Sequence, residues 1–291
     1  MQILILGKIG QLGWELQRSL GPLGEVIALD CPQIDLSMAE SIRAPIQEIK
    51  PQVIINATAY TDVDKAEREP DRAMAINGFG PGIVAEEARR ISAAIIHYST
   101  DYVFDGKTDH PYVETDTPNP LGVYGQSKLA GERWIQGISD SYLIFRTSWL
   151  YSLRRPSFVT KVLEWSRKQK ELKIVDDQVS NPTWARMLAE VTAQVLALSV
   201  EDPVQWILER RGVYHLAGWG YTSRYEWARK ILECDPKKEE QVVEEIVPAK
   251  TADFPTPAER PLFSALSCET FKRVFHLGLP DWQDVLRLAM E

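Results

Sequence analysis

Residues Gln2 to Leu6 read QILIL, a continuous apolar run closed by Gly7, and the next segment places Leu12, Leu16 and Leu20 at helical spacing. A run without polar alternation suits a strand covered on both faces, so the opening predicts buried strand, turn and helix. Gly24 to Asp30 repeats the strand signal and ends in a carboxylate. Pro51 to Asn56 gives a third strand, with a helix between the two. Ala73 to Arg90 is alanine-rich and helical in character, interrupted at Gly78 to Gly82, and leads into a fourth strand at Ala94 to Tyr98. A helix from Tyr124 to Gln136 and a strand from Tyr142 to Arg146 continue the alternation. Strand and helix in turn are the mark of βαβ units, and predict an α/β chain on a doubly wound, mostly parallel sheet of Rossmann type. Ligands on such sheets lie beyond the carboxyl ends of the strands, which is where chemistry is to be sought.

Past Trp149 the pattern loosens. Eight prolines from Pro156 to Pro261 punctuate shorter elements, and seven of the nine tryptophans lie from Trp149 onward. The expected division is a dinucleotide-binding part over 1–150, with returns to its sheet within 173–217 at Lys173 to Val175 and Gly212 to Leu216. A smaller substrate-binding region then covers 151–172 and 218–291. No Gly/Ser-rich linker separates the two parts.

Composition narrows the function. The 291 residues are 44% hydrophobic and 25% charged, which is ordinary globular usage. The net charge of −8 and the scattered basic pairs argue against nucleic acid as a partner. Cys31, Cys234 and Cys268 fit neither a disulfide framework nor a zinc site, and the four histidines are isolated, so no metal is expected and a reducing cytoplasm is the expected home. No apolar run reaches 18 residues, and none opens the chain as a signal segment would, so neither membrane insertion nor export is expected.

Gly7, Gly10 and Gly13 form a GxxGxxG turn between the first strand and the first helix, with Gln11 and Leu12 opening that helix. Missing Cβ atoms let a pyrophosphate approach the backbone N–H groups at a helix start, and Asp30, ending the second strand, suits a ribose. Tyr124 and Lys128 form a YxxxK pair that a helix places one turn apart on one face. Ser99, Thr100 and Asp101 follow the fourth strand. A hydroxyl there, with a phenol whose acidity a neighbouring ammonium raises, is what reduction of a ketone needs.

These residues lie in longer segments: GKIGQLGWELQ, NATAYTDVDKAEREP, HYSTDYVFDG, YGQSKLAGE, FRTSWLY, DQVSNPT, PTPAERP and LPDW. Taken in order, they closely resemble the dTDP-4-dehydrorhamnose reductase family, within the extended short-chain dehydrogenases, nearly end to end. The resemblance implies reduction of the C4 keto group of dTDP-4-dehydro-β-L-rhamnose by NADPH or NADH. It implies Tyr124 as proton donor, Lys128 on the nicotinamide ribose, and Thr100, beside Asp101, on the C4 oxygen. Asp35 and Leu36 would line the adenine site, Ala57, Ala59 and Thr61 the length of the cofactor. Tyr102 and Trp149 would face the sugar, and Arg260 would meet the diphosphate. The chain departs from the family at Ser152 to Ser157, which lacks the usual glycine and asparagine, and at Ser180, where glycine is usual. Some members bind Mg²⁺ at a dimer interface; Glu15 matches one acidic ligand but Arg186 replaces another, so Mg²⁺ is not expected and a monomer or weak homodimer is. Two rivals remain at this level: a nucleotide-sugar epimerase or dehydratase, and a regulatory subunit like the β subunit of methionine adenosyltransferase. The glutamate a dehydratase places after the aspartate is here Tyr102, and the intact Tyr124, Lys128 and Thr100 favour an enzyme.

Overall fold

Six parallel strands make the central sheet of the computed structural model, which describes all 291 residues. Strand β1 (Gln2–Leu6) lies between β2 (Glu25–Leu29) and β3 (Val53–Asn56); β4 (Ala94–Thr100), β5 (Tyr142–Thr147) and a sixth strand, Gly212–His215, continue outward from β3. The chain steps from β1 to one side, then returns to the other, and this reversal opens a crevice at the carboxyl ends of β1 and β3.

Alternate residues of each strand serve two cores, which is why the strands read as unbroken apolar runs. On one face Ile3, Ile5, Val53, Ile55 and Phe145 pack with Leu12 and Leu16 of α1 (Gln11–Leu20) and with Leu188 and Val195 of the helix Ala185–Ala197. On the other, Leu4, Leu6, Ile54, Ile95 and Ile144 meet Ile42 and Ile46 of α2 (Ala39–Ile49) and Val84 of the helix Gly80–Arg90. Each such side chain contributes about 1.5–3 kcal/mol by leaving water.

The interruption expected at Gly78 to Gly82 is an uneven turn within a helical stretch. Pro70–Met74 passes through a π-type turn, Ala75–Phe79, directly into Gly80–Arg90. The wide turn aims buried Asn77 inward. Its Oδ1 accepts from the Tyr60 amide at 2.8 Å, and its Nδ2 donates to the Tyr60 carbonyl at 3.0 Å and to Ser127 Oγ at 3.1 Å. The loop after β3 is thereby tied to the helix that carries Tyr124.

One expected return to the sheet is corrected. Gly212–His215 pairs with β5, but Lys173 to Val175 belongs to Glu171–Val175, which pairs with Glu245–Ala249 in a separate two-stranded sheet. Only one face of that strand is covered: Leu172 and Ile174 are buried, while Glu171 and Lys173 are exposed. Leu172 and Ile174 join a third core of Tyr151, Val159, Trp227, Trp282 and Leu286, separate from the two that flank the main sheet.

Candidate active site

The turn after β1 is shaped by two close approaches. Gly7 has φ +95°, and a Cβ on it would stand 2.8 Å from Thr58 Oγ1 and 3.0 Å from the Ala57 backbone. A Cβ on Gly13 would lie 2.0 Å from the Gly7 carbonyl oxygen, so only glycine lets α1 start this near the turn. Gly10 precedes α1 without a side-chain cap, leaving first-turn N–H groups for a ligand. Asp30 closes the other side of the turn: its carboxylate accepts from the Ile9 amide at 3.1 Å and from the Cys31 amide at 2.9 Å.

From this turn a cleft of about 740 Å³ runs across the ends of the strands to Trp149. Its wall includes Gly7, Gly10, Gln11, Leu12 and Asp30 at one end, Ala57, Ala59 and Thr61 along it, and Thr100, Asp101, Tyr102, Tyr124, Lys128 and Trp149 at the other. Gln11 Oε1, Ser99 Oγ and Thr147 Oγ1 on this wall are buried without a hydrogen-bond partner. Buried polar atoms are rarely left so, and together with the close-approach glycines they fit an extended polar ligand such as a dinucleotide.

Tyr124 and Lys128 sit in the first two turns of the helix Val123–Ile138. Burial pushes the Tyr124 phenol well above its ordinary range, and the Thr100 hydroxyl pulls it part of the way back. Lys128 is buried. Its Nζ donates to the Tyr98 carbonyl at 2.6 Å and lies 3.3 Å from His97 Nε2. Burial brings the ammonium down to about 8, against the pull of Glu132, which is itself held by Arg146 at 2.6 Å. Burial and Lys128 keep His97 well below its usual range, hence neutral. Asn56 Oδ1 is taken by the Thr58 amide at 3.0 Å, so its amide nitrogen faces His97 Nδ1 at 3.2 Å. The lysine is thus held from beneath by β4, with Asn56 of β3 behind His97.

Asp101, next to Thr100, is fully enclosed. Burial raises its carboxyl to about 6, while the hydroxyls of Ser264, Thr100 and Ser180 stabilise the charged form. Ser180, standing where a glycine was usual, supplies one of these bonds at 3.2 Å. Trp149 takes φ +39°, a conformation costly for a non-glycine residue, about 1–3 kcal/mol, and stacks on Trp227 at 5.4 Å. The divergent loop is ordered as well: Ser157 caps the helix Phe158–Ser166, and Arg154 lies 3.4 Å over the Trp14 ring, bringing Arg155 and Pro156 to the cleft.

Four expected site residues stand off the cleft wall. Gly13 acts through packing alone. Leu36 is buried in the core with Ile42 and Val84, and Asp35 accepts from the Ser37 amide and hydroxyl at 2.9 and 2.7 Å. Arg260 is forked onto Asp64 at 2.7 and 3.0 Å and donates to the Ala258 carbonyl at 2.7 Å, so three of its five N–H donors are engaged within the protein. Sequence reasoning missed Asn77, His97 as a support of Lys128, and Ser264. Isolated polar residues in unrelated segments gave no spacing signal, and they meet only in the fold.

The family described as RmlD substrate binding domain matches residues 1–291. The dTDP-4-dehydrorhamnose reductase of Escherichia coli K12 is 41% identical over 288 residues, which cover 97% of this chain and 95% of that protein. This chain belongs to the dTDP-4-dehydrorhamnose reductase family. Two solved members of this reductase family superpose closely. That of Clostridium acetobutylicum has a TM-score of 0.90 at 35% identity, covering 100% of this chain and 98% of its own. That of Bacillus anthracis, solved in complex with NADP, has 0.88 at 31% identity, covering 99% and 97%. Arg186 is paired with Glu190 at 2.8 Å, and Glu15 is near enough to strengthen its charge. No helix is long and apolar enough to cross a membrane.

Proposed function

We propose that the chain reduces the C4 keto group of dTDP-4-dehydro-β-L-rhamnose to dTDP-L-rhamnose with NADPH or NADH. The observation that carries this is one cleft with a glycine turn and Asp30 at one end and Thr100, Tyr124 and Lys128 at the other. The turn from Gly7 to Gly13, Asp30, Ala57, Ala59, Thr61 and Lys128 would hold the dinucleotide. The reduced nicotinamide, when bound, supplies the hydride that C4 receives. Tyr124 gives its phenolic proton to the C4 oxygen, and the Thr100 hydroxyl, turning from the Asp101 carboxylate, donates a hydrogen bond to that oxygen as negative charge gathers on it. A phenol this far above its ordinary range is a weak acid: burial and the Asp101 charge raise it and the Thr100 hydroxyl lowers it, whereas the Lys128 ammonium, expected to acidify it, is bonded to the Tyr98 carbonyl instead. Tyr102 and Trp149 flank the sugar. The region past Trp149 covers the substrate, the protein is cytoplasmic, and it works as a monomer or a weak homodimer without Mg²⁺.

The test is to supply the purified protein with dTDP-4-dehydro-6-deoxyglucose and the matching epimerase, follow NADPH and NADH oxidation, and identify the sugar formed. Oxidation of either cofactor with formation of dTDP-L-rhamnose is expected. Unchanged cofactor, or a product still carrying the C4 ketone, would contradict the assignment.

A further inference from the structure

Beside the cleft lies a guanidinium that no side chain of the protein pairs by hydrogen bond or salt bridge. Arg224 is the first residue of the helix Arg224–Glu233, which Ser223 caps by accepting from the Glu226 amide at 3.1 Å. Its guanidinium carbon stands 3.7 Å over the Trp149 ring, 4.8 Å over Phe158 and 5.4 Å over Trp227. The Arg224 backbone amide bonds the Gln178 carbonyl at 3.1 Å, but its side chain has neither a hydrogen-bond acceptor nor a carboxylate partner. Other shielded arginines are treated differently. Arg146 is held by Glu132, Arg260 by Asp64, and Arg167 by Asp235 and Glu240. Those three are paired; Arg224 is stacked and left with its donors free.

Its surroundings point the charge at substrate. Trp149, on which it lies, is a wall of the cleft, and Tyr102 and Asp101 of the same wall feel its charge. Desolvation draws the guanidinium down to about 10. The aromatic shelf holds the planar fork rigidly, so little order is lost when a phosphate takes it by two parallel bonds.

We propose that Arg224 is the residue that takes the diphosphate of the nucleotide-sugar, with Trp149 as its shelf, and that Arg260 does not supply this contact. This rests on the reductase reading of the cleft. The experiment titrates dTDP into NADPH-saturated protein by calorimetry for wild type, Arg224→Gln, Arg224→Lys and Arg260→Gln, with NADPH affinity and steady-state kinetics measured alongside. Arg224→Gln is expected to weaken dTDP by about 10- to 100-fold, the usual loss of a charged hydrogen bond, and to raise KM for the sugar nucleotide alike while kcat moves less than about threefold. Arg224→Lys, keeping the charge without the fork, should fall between. Unchanged dTDP affinity in Arg224→Gln, a larger loss in Arg260→Gln, or no dTDP binding by wild type overturns the proposal. Should Arg224→Gln fail to bind NADPH and so prove misfolded, Arg224→Lys decides, since a KM within threefold of wild type would also overturn it. Wild type that binds dTDP but leaves the ketone intact would sink the reductase reading alone.

Discussion

The two halves of the cleft are built by different means. At the end formed by β1, β2 and β3, ligand-facing groups are set by backbone: Gly7 at positive φ, Gly13 against the Gly7 carbonyl, and Asp30 on the amides of Ile9 and Cys31. At the end formed after Trp149, they are set by side chains stacked on one another: Trp149 on Trp227, Phe158 against Trp227 at 4.9 Å, and Arg224 over all three. Backbone placement needs few residue types in fixed order and suits a ligand of constant shape. Stacked side chains are exchangeable one at a time, so that end can be retuned for a different sugar without disturbing the sheet.

The sharpest break between the halves is at Lys128. Lys128→Met should lower turnover by about 10²–10⁴, the usual contribution of acid–base machinery, with folding near normal. Its ammonium titrates near 8 in the folded protein, so it is charged below that value and loses its proton above it. In kcat/KM, which reports the free enzyme, activity is expected to be full below pH 8 and to fall as pH rises through it, and Lys128→Met should abolish this limb. The same depression means that between pH 8 and about 10.4 the unfolded chain holds a proton that the folded one lacks, so this group's contribution makes the fold more stable as pH rises through that window. A flat profile in wild type would remove Lys128 from the chemistry.

Next in size is Trp227→Ala. Its ring is fully buried among Trp149, Tyr151 and Phe158, and its loss should cost about 3–5 kcal/mol of stability. If the halves are as separate as their cores suggest, the surviving folded protein keeps its NADPH affinity while KM for the sugar nucleotide rises. Equal damage to both affinities would show that the halves act as one body.

The smallest effect tests the backbone end. Lys8 bonds Gln33 just past Asp30, so its charge lies near where an adenosine ribose would meet that carboxylate. Lys8→Ala should weaken NADPH by about two- to fivefold, as an exposed charge contact does, and NADH less. Equal calorimetric changes for the two cofactors would remove Lys8 from phosphate recognition.

The same contrast governs what could be read from the sequence. QILIL and VIIN announce β1 and β3 because both faces of each are buried, and the glycine spacing and YxxxK are local patterns with local causes. Glu171–Val175 contains a similar apolar stretch, LKIV, yet it lies in a two-stranded sheet covered on one face, and five residues cannot show which sheet they join. Arg224 sits in TSRYEW with no motif to mark it, and the rings at 149 and 158 that it lies over are brought to it only by folding. Arg260 shows the opposite case: its motif was legible, but its ion pair with Asp64, nearly two hundred residues earlier, was not.

The account's central claim is that Tyr124 delivers the proton in a cleft assembled independently of it. Its most direct test is the single-turnover rate of NADPH oxidation in Tyr124→Phe on pre-bound keto sugar, with NADPH and dTDP affinities measured on the same protein. Both affinities within about threefold of wild type, with a rate lower by about 10²–10⁴, is the predicted result. A wild-type rate in Tyr124→Phe would contradict the claim.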